Sequence, residues 1–301
     1  MLEQGDVRFF VMTDAERLIR NFARVVASAP YALAPERADE LQEAVFEGES
    51  WTLALEEGPA QATARVDRRE IVVTFAALLG LWAVARAAMI AGVEAIAASR
   101  ADRRILDSGP NSPMAEALAL IAAAEALIRD PCAAWPDGLP HPDAAAPEGS
   151  DDWRVNNVFL GAVGWICLHE VAHIHLGHEP DTTDALRRRQ ENEADSWATR
   201  WVLDRAPPDL RREFRVFAIA AGLAWIALVD KVRRGSLTHP HAWERLGHCA
   251  QVFGTEELSP GLELSTHAMK ACFFPHDPIE DFETPQEAFF GTLFAASRLP
   301  R

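Results

Sequence analysis

The stretch VFLGAVGWICLHEVAHIHLGHE, residues 158–179, decides the fold, because an apolar run leads there directly into four histidines and two glutamates. Its helical spacing predicts one long helix, at about 153–177, with a buried body and an ionisable end. His169, Glu170 and His173 form the pattern H-E-x-x-H within it. Residues four apart on a helix face the same direction, so the two imidazoles are predicted to bind one zinc ion. The alternative is a solvated helix end that happens to be rich in histidine.

Glu170 lies one position after the first histidine and reaches the edge of the same predicted site. Zinc lowers the pKa of a bound water to about 7, so Glu170 is predicted to act as the base that takes the proton, not as a ligand. The apolar turns that precede it would keep such a site rigid and shielded from solvent.

Zinc needs a third protein ligand, and the best candidate lies eighteen residues beyond His173, in a predicted helix at about 184–206. The apolar stripe of that helix consists of Ala194, Trp197, Ala198, Trp201 and Val202. Glu191 and Asp195 lie on one margin of the stripe, so Glu191 is predicted to bind the metal and Asp195 to accept the N–H of a ligating histidine. Glu193 points off the other side. The alternative, which we prefer for Glu193, is that these acids form a solvated helix start.

Two further histidines follow the pattern at His175 and His178. The longer pattern H-E-x-x-H-x-x-G-x-x-H fails here, because Leu176 replaces the glycine and Glu179 replaces the third histidine. Neither His175 nor His178 is therefore predicted to bind the metal. Both are expected to face solvent or to support the ligands.

A third element is SLTHPHAWERLGH, residues 236–248, where His239-Pro240 opens a helix and Arg245 follows. A cation or imidazole N–H opposite the zinc would stabilise the oxyanion of a tetrahedral intermediate, which makes His239 and Arg245 candidate catalytic residues. The alternative is ordinary helix capping by a Thr-His-Pro start.

Composition narrows the class of protein. The chain has 301 residues, is 49% hydrophobic and 25% charged, and carries a formal net charge of −16. This charge argues against nucleic acid or an anionic membrane as a partner. The four scattered cysteines indicate reduced thiols of a cytoplasmic protein. The apolar stretches 75–99 and 216–229 are interrupted by charges or too short for a span, so both are predicted to be buried core helices.

The predicted organisation is α+β and predominantly α-helical, with a small β-hairpin or meander at 51–75. A proline-rich loop at 130–152 separates an N-terminal half, 1–150, from a helical half, 151–301, within one domain of residues 1–301. The other predicted helices lie at about 14–27, 35–46, 75–99, from 113 onwards, 209–232, 240–253 and 284–298, and 254–283 is predicted to be irregular.

H-E-V-A-H (169–173), E-N-E-A-D (191–195) and T-H-P-x-x-x-E-R-L (238–246), in this order, resemble the gluzincin metallopeptidases, including the HtpX-type membrane peptidases. The resemblance implies a zincin-like core with a Zn²⁺ ion bound by His169, His173 and Glu191. It also implies that Glu170 is the base and that His239 and Arg245 flank the reacting carbonyl.

The chain lacks the transmembrane helices expected of HtpX-type enzymes. Its W-x-x-x-H-E-x-x-H (165–173) and E-x-E-A-D-x-W-A (191–198) are more similar to the Lit-type phage-exclusion peptidases of bacteria. This resemblance implies a zinc-dependent endopeptidase that cleaves a protein or peptide substrate in phage defence. The sequence identifies no activating partner. The alternative is a non-catalytic regulatory or interaction protein with a structural zinc, although such sites usually have four protein ligands.

Overall fold

The computed structural model describes residues 12–45, 51–103, 105–179, 182–234, 240–277 and 282–298. Helices dominate and the only strands in these ranges lie in the N-terminal half, so the predicted α+β, predominantly helical class is confirmed. The α-helices are α1 Asp14–Ile19, α2 Ala23–Leu33, α3 Ala38–Glu40, α4 Phe75–Arg100, α5 Pro113–Arg129, α6 Asp151–His175, α7 Asp184–Leu203, α8 Leu210–Arg233, α9 Ala242–Phe253, α10 Pro260–Phe273 and α11 Pro285–Ala296.

The small sheet has three strands, β1 Thr52–Glu56, β2 Ala62–Arg65 and β3 Glu70–Thr74, in the order β1-β3-β2. β1 runs parallel to β3, and β2 runs antiparallel to it. The predicted hairpin or meander is wrong in its connectivity, because β1 and β2 do not pair. β3 is the most buried strand, and an apolar strand that is covered on both faces takes the central place in a sheet. β2 is therefore left at an edge.

α4 and α6 form the centre of the hydrophobic core. Both are long and apolar enough to cross a membrane by length and composition alone. However, 78% and 72% of their most apolar windows are buried inside the fold. They are helices of the core, which the charges within 75–99 predict for α4.

Two segments were predicted to be irregular, and the structure agrees with the prediction for only one of them. The 130–152 loop is fastened to the core, since the Trp135 backbone N–H donates to Asp14 and its ring packs edge-on against Trp82. The prediction of an irregular segment at 254–283 is wrong, because α10 occupies much of it. Its apolar face contains polar residues that hide the helical pattern, such as Thr266, whose buried hydroxyl donates to the backbone four residues earlier. The assignment of 1–301 to one domain stays a prediction.

The packing of α6 against α2 depends on a glycine at the contact. A Cβ atom at Gly164 would lie 2.8 Å from the Ala29 carbonyl oxygen and 3.2 Å from the Leu33 side chain. The backbone oxygen cannot move without shifting α2. Gly164 therefore allows the close approach that fixes the position of the histidine-bearing helix.

Gly164→Ala is expected to lower the free energy of unfolding by about 1–3 kcal/mol, because the added methyl overpacks this contact. Urea denaturation measures the change. Gly247→Ala in α9 is the matched control, since its Cβ would meet only the Leu293 side chain at 3.5 Å. That variant is expected to be neutral or to gain up to about 1 kcal/mol of helix propensity. Equal stability of the two variants would contradict the close-packing argument.

Candidate metal centre

Three potential ligands converge where the end of α6 meets α7. His169 and His173 come from one face of α6, Glu191 comes from α7, and one donor atom of each lies within 4.8 Å of the others. The two histidine Nε2 atoms are 3.1 Å apart, and the Glu191 oxygens lie 3.4 and 3.6 Å from them. Ligands about 2.1 Å from a tetrahedral zinc are about 3.4 Å apart, so the donor set and its spacing both fit this ion.

Asp195 orients the first histidine, as its place on the α7 stripe predicts. Its Oδ1 lies 2.9 Å from His169 Nδ1, which directs the Nε2 of that ring toward the centre. Burial alone would lower the pKa of His169, but the hydrogen bonds with Asp195 and Glu191 outweigh burial and raise this pKa to about 10.

Arg245 reaches the site, but its guanidinium is engaged by carboxylates. Nε and Nη2 each donate to Asp195 at 2.8 Å, and Nη1 lies 3.6 Å from Glu191. Burial would raise the pKa of Asp195, yet the charge of Arg245 keeps it at about 2. Arg245 therefore holds Asp195, which contacts His169, and Arg245 also lines the cleft, so its place beside a reacting carbonyl stays a prediction. His239, the other predicted oxyanion residue, lies outside the described residues.

The second histidine has a contact that sequence reasoning missed. His173 Nδ1 lies 2.9 Å from Nδ1 of His178, whose ring is buried and whose Nε2 is 3.4 Å from a Glu193 oxygen. Burial lowers the pKa of His173 to about 3 and also lowers that of His178, so both rings are neutral. Of the two expectations for His178, the structure favours support of a ligand. Gly177 was the available sequence signal, since a glycine after a helix end turns the chain back.

Glu170 lies beside the cluster at the floor of a cleft of about 650 Å³. Burial raises the pKa of Glu170 to about 7, although the charge of His169 and a hydrogen bond from the Ala64 backbone N–H act against burial. Glu170 is not one of the three converging donors. A carboxyl group with a pKa near neutrality can both take and return a proton at physiological pH.

The β2 edge forms a wall of this cleft. The Thr74 N–H donates to the Gln61 carbonyl at 3.1 Å, and hydrogen-bonded pairs alternate along an antiparallel ladder. In the observed register, Thr63 therefore bonds to β3, and the backbone groups of Ala62 and Ala64 point the other way. Both alanines line the cleft, so the open edge of β2 faces Glu170 and the three donors.

Comparisons with known proteins show the family of the chain. The family model of peptidase U49 matches residues 71–265. The chain is also 30% identical over 250 residues to a protein of Escherichia coli (strain K12) named Cell death peptidase, covering 79% of this chain and 83% of that relative. No solved structure matches the chain.

These matches define the chain as a peptidase. It belongs to the peptidase U49 family, and the relative supports the Lit-type resemblance seen in the motifs.

Proposed function

We propose that the protein is a zinc-dependent endopeptidase of gluzincin type. The observation that carries this proposal is the convergence of His169, His173 and Glu191 at tetrahedral spacing, next to a buried Glu170 that is not a donor. The β2 edge lines the cleft beside these residues, and we place the peptide substrate along that edge.

The residues divide the chemistry between them. A zinc ion held by the three donors supplies Lewis acidity, which polarises a carbonyl oxygen and activates a water molecule. Glu170 takes the proton of the attacking water and returns it to the leaving amine. Asp195 and Arg245 fix the first histidine. His239 stays a candidate for stabilising the oxyanion.

The open edge of β2 supports an extended peptide as the substrate. An added strand would pair with the outward backbone groups of Ala62 and the carbonyl of Ala64. The Ala64 N–H is directed at Glu170. A substrate residue opposite Ala64 would therefore have its carbonyl close to the base and the three donors.

Ala62→Pro tests this role, because it removes an outward N–H without removing a bond to β3, and proline is tolerated on such an edge. The loss of one hydrogen bond to substrate, about 1 kcal/mol, is expected to lower kcat/KM about fivefold with an unchanged melting temperature. Thr63→Pro is the contrasting variant. It removes a bond within the sheet and should lower the melting temperature. Wild-type kcat/KM in a folded Ala62→Pro protein would argue against strand pairing.

A non-catalytic protein with a structural zinc is the alternative. Structural sites usually have four protein ligands, whereas the cluster in the described part of the chain has three donors. Binding of a hydroxamate inhibitor to the zinc-loaded protein would support the endopeptidase, since the inhibitor needs an open coordination position. Four protein ligands in the loaded protein would support the alternative.

We place this activity in the bacterial cytoplasm, in phage exclusion through cleavage of a host or phage protein. The Lit-type motifs and the name of the Escherichia coli relative, Cell death peptidase, support this setting. Mapping of new protein termini after expression of wild type and Glu170→Gln tests it. One terminus that appears only with wild type would identify the substrate. Identical termini in both would reject proteolysis.

A further inference from the structure

We infer that His178 and Glu193 are positioning residues that hold the ring of His173 in its metal-binding orientation. They form a second support network, by which we mean a row of contacting side chains behind one ligand. The first support network runs from His169 to Asp195 and Arg245, and all three side chains are buried. This inference rests on the proposed zinc site.

The proton positions follow from the contacts. His173 directs Nε2 at the other donors, so its single proton lies on Nδ1 and is donated to Nδ1 of His178, 2.9 Å away. The proton of His178 then lies on Nε2, which makes no hydrogen bond within the described residues and lies 3.4 Å from Glu193 Oε2, at ion-pair distance. Each ring then carries a single proton, as a ligand and its supporting partner require.

The fold brings His178 to this place by a specific turn. α6 ends at His175, and Gly177 adopts a φ of +65°, which favours glycine. The chain then folds back, so that the His178 N–H donates to the His173 carbonyl at 3.0 Å. Its ring is buried against His173 with the centroids 4.9 Å apart. A histidine that merely ends a helix in solvent would need none of these contacts.

Glu193 is the last member of the second support network and comes from the neighbouring helix. It lies two residues after the proposed ligand Glu191 on α7, and Arg189 one turn earlier donates to its carboxylate at 2.7 Å. This ion pair places the carboxylate beside His178. Glu193 therefore does more than stabilise the start of a solvated helix, which is the role its sequence position predicts.

A matched pair of substitutions separates the hydrogen bond from simple packing. The Oδ1 of asparagine takes nearly the place of histidine Nδ1, whereas glutamine reaches the place of Nε2. His178→Asn should therefore keep the acceptor for His173 and His178→Gln should lose it. The dissociation constant for Zn²⁺, measured by competition with a chelator, is expected to rise about 10–100-fold in His178→Gln and to change little in His178→Asn.

Glu193 is tested in the same way. Glu193→Ala removes the carboxylate beside His178 Nε2 and should raise the Zn²⁺ dissociation constant by at most about fivefold, the equivalent of one hydrogen bond. Glu193→Gln keeps an acceptor oxygen and should bind Zn²⁺ nearly as tightly as wild type. His175→Asn is the control, since this exposed ring contacts Trp197 and no ligand.

The melting temperature of each metal-free variant shows whether the fold is intact. If His178→Gln does not fold, His178→Ala removes the acceptor without added bulk and takes its place. Equal losses in His178→Asn and His178→Gln, or wild-type affinity in both, would overturn the inference. His169→Ala separates it from the proposed function. Undiminished Zn²⁺ binding by His169→Ala would reject the metal centre itself. Weakened Zn²⁺ binding by His169→Ala together with normal binding by His178→Gln would reject only the second support network.

Discussion

Glu170→Gln is expected to lower kcat/KM for peptide hydrolysis by about 10²–10⁴-fold, the usual contribution of a general base, while Zn²⁺ remains bound. Glutamine has nearly the same volume but cannot accept the proton of the attacking water. Glu170 is not among the three converging donors, so the metal site should be unchanged. The measurements are kcat/KM on the substrate found by terminus mapping and the Zn²⁺ content after dialysis.

Glu179→Gln is the matched control, because this exposed carboxylate also borders the cleft but lies outside the donor cluster. Its kcat/KM is expected to stay within about twofold of wild type. Full activity of Glu170→Gln would reject the mechanism. Loss of zinc together with activity would show that Glu170 is a ligand and that the base must be sought elsewhere.

The largest loss of stability is expected from Arg245→Met, at about 3–5 kcal/mol of the free energy of unfolding. Both members of the pair are buried, Asp195 completely, and two hydrogen bonds of 2.8 Å join them. Removing the guanidinium leaves a buried carboxylate without its main counter-charge. Urea denaturation measures the loss. Arg154→Met, which breaks an exposed pair with Asp151, should cost at most about 1 kcal/mol.

The double variant Asp195→Leu/Arg245→Met separates stability from metal binding. It removes the Asp195 carboxylate together with its counter-charge and leaves Glu191 opposite His169, so most of the lost stability should return. His169 would still lack its acceptor, and we expect the Zn²⁺ dissociation constant to stay about 10–100-fold above wild type. If the double variant binds Zn²⁺ as wild type does, Asp195 does not orient His169. If its stability stays as low as that of Arg245→Met, the ion pair is not the cause of the loss.

The helices and the proposed ligands could be predicted because their signals are local. The spacing of His169 and His173 requires only that the segment be helical, and the apolar turns before it make that helix part of the core. The stripe on α7 likewise showed which of its acids face inward. The same reasoning failed for α10, where buried serine and threonine positions hide the apolar face, and for the sheet, where the burial of β3 decides the strand order.

The contacts of Arg245 and His178 could not be predicted from local sequence patterns. Both occur in motifs that sequence reasoning singled out, yet their partners lie on other elements. The guanidinium of Arg245, which also lines the cleft, is directed at Asp195 by the packing of α9 on α7. His178 is brought under His173 by a turn whose direction depends on one positive φ angle.

The amino-acid sequence by itself determined that this chain is mainly helical and that two histidines share one helix face. It also determined which carboxylates of the next helix face inward. Only the tertiary structure decided that these groups meet at the spacing of one cation and that the β2 edge borders the same cleft. The physical reason is that sequence patterns act over a short range along the chain. Periodicity fixes the direction of a side chain about its own helix, but the distance between helices depends on close contacts such as that of Gly164 with Ala29, which no single segment encodes.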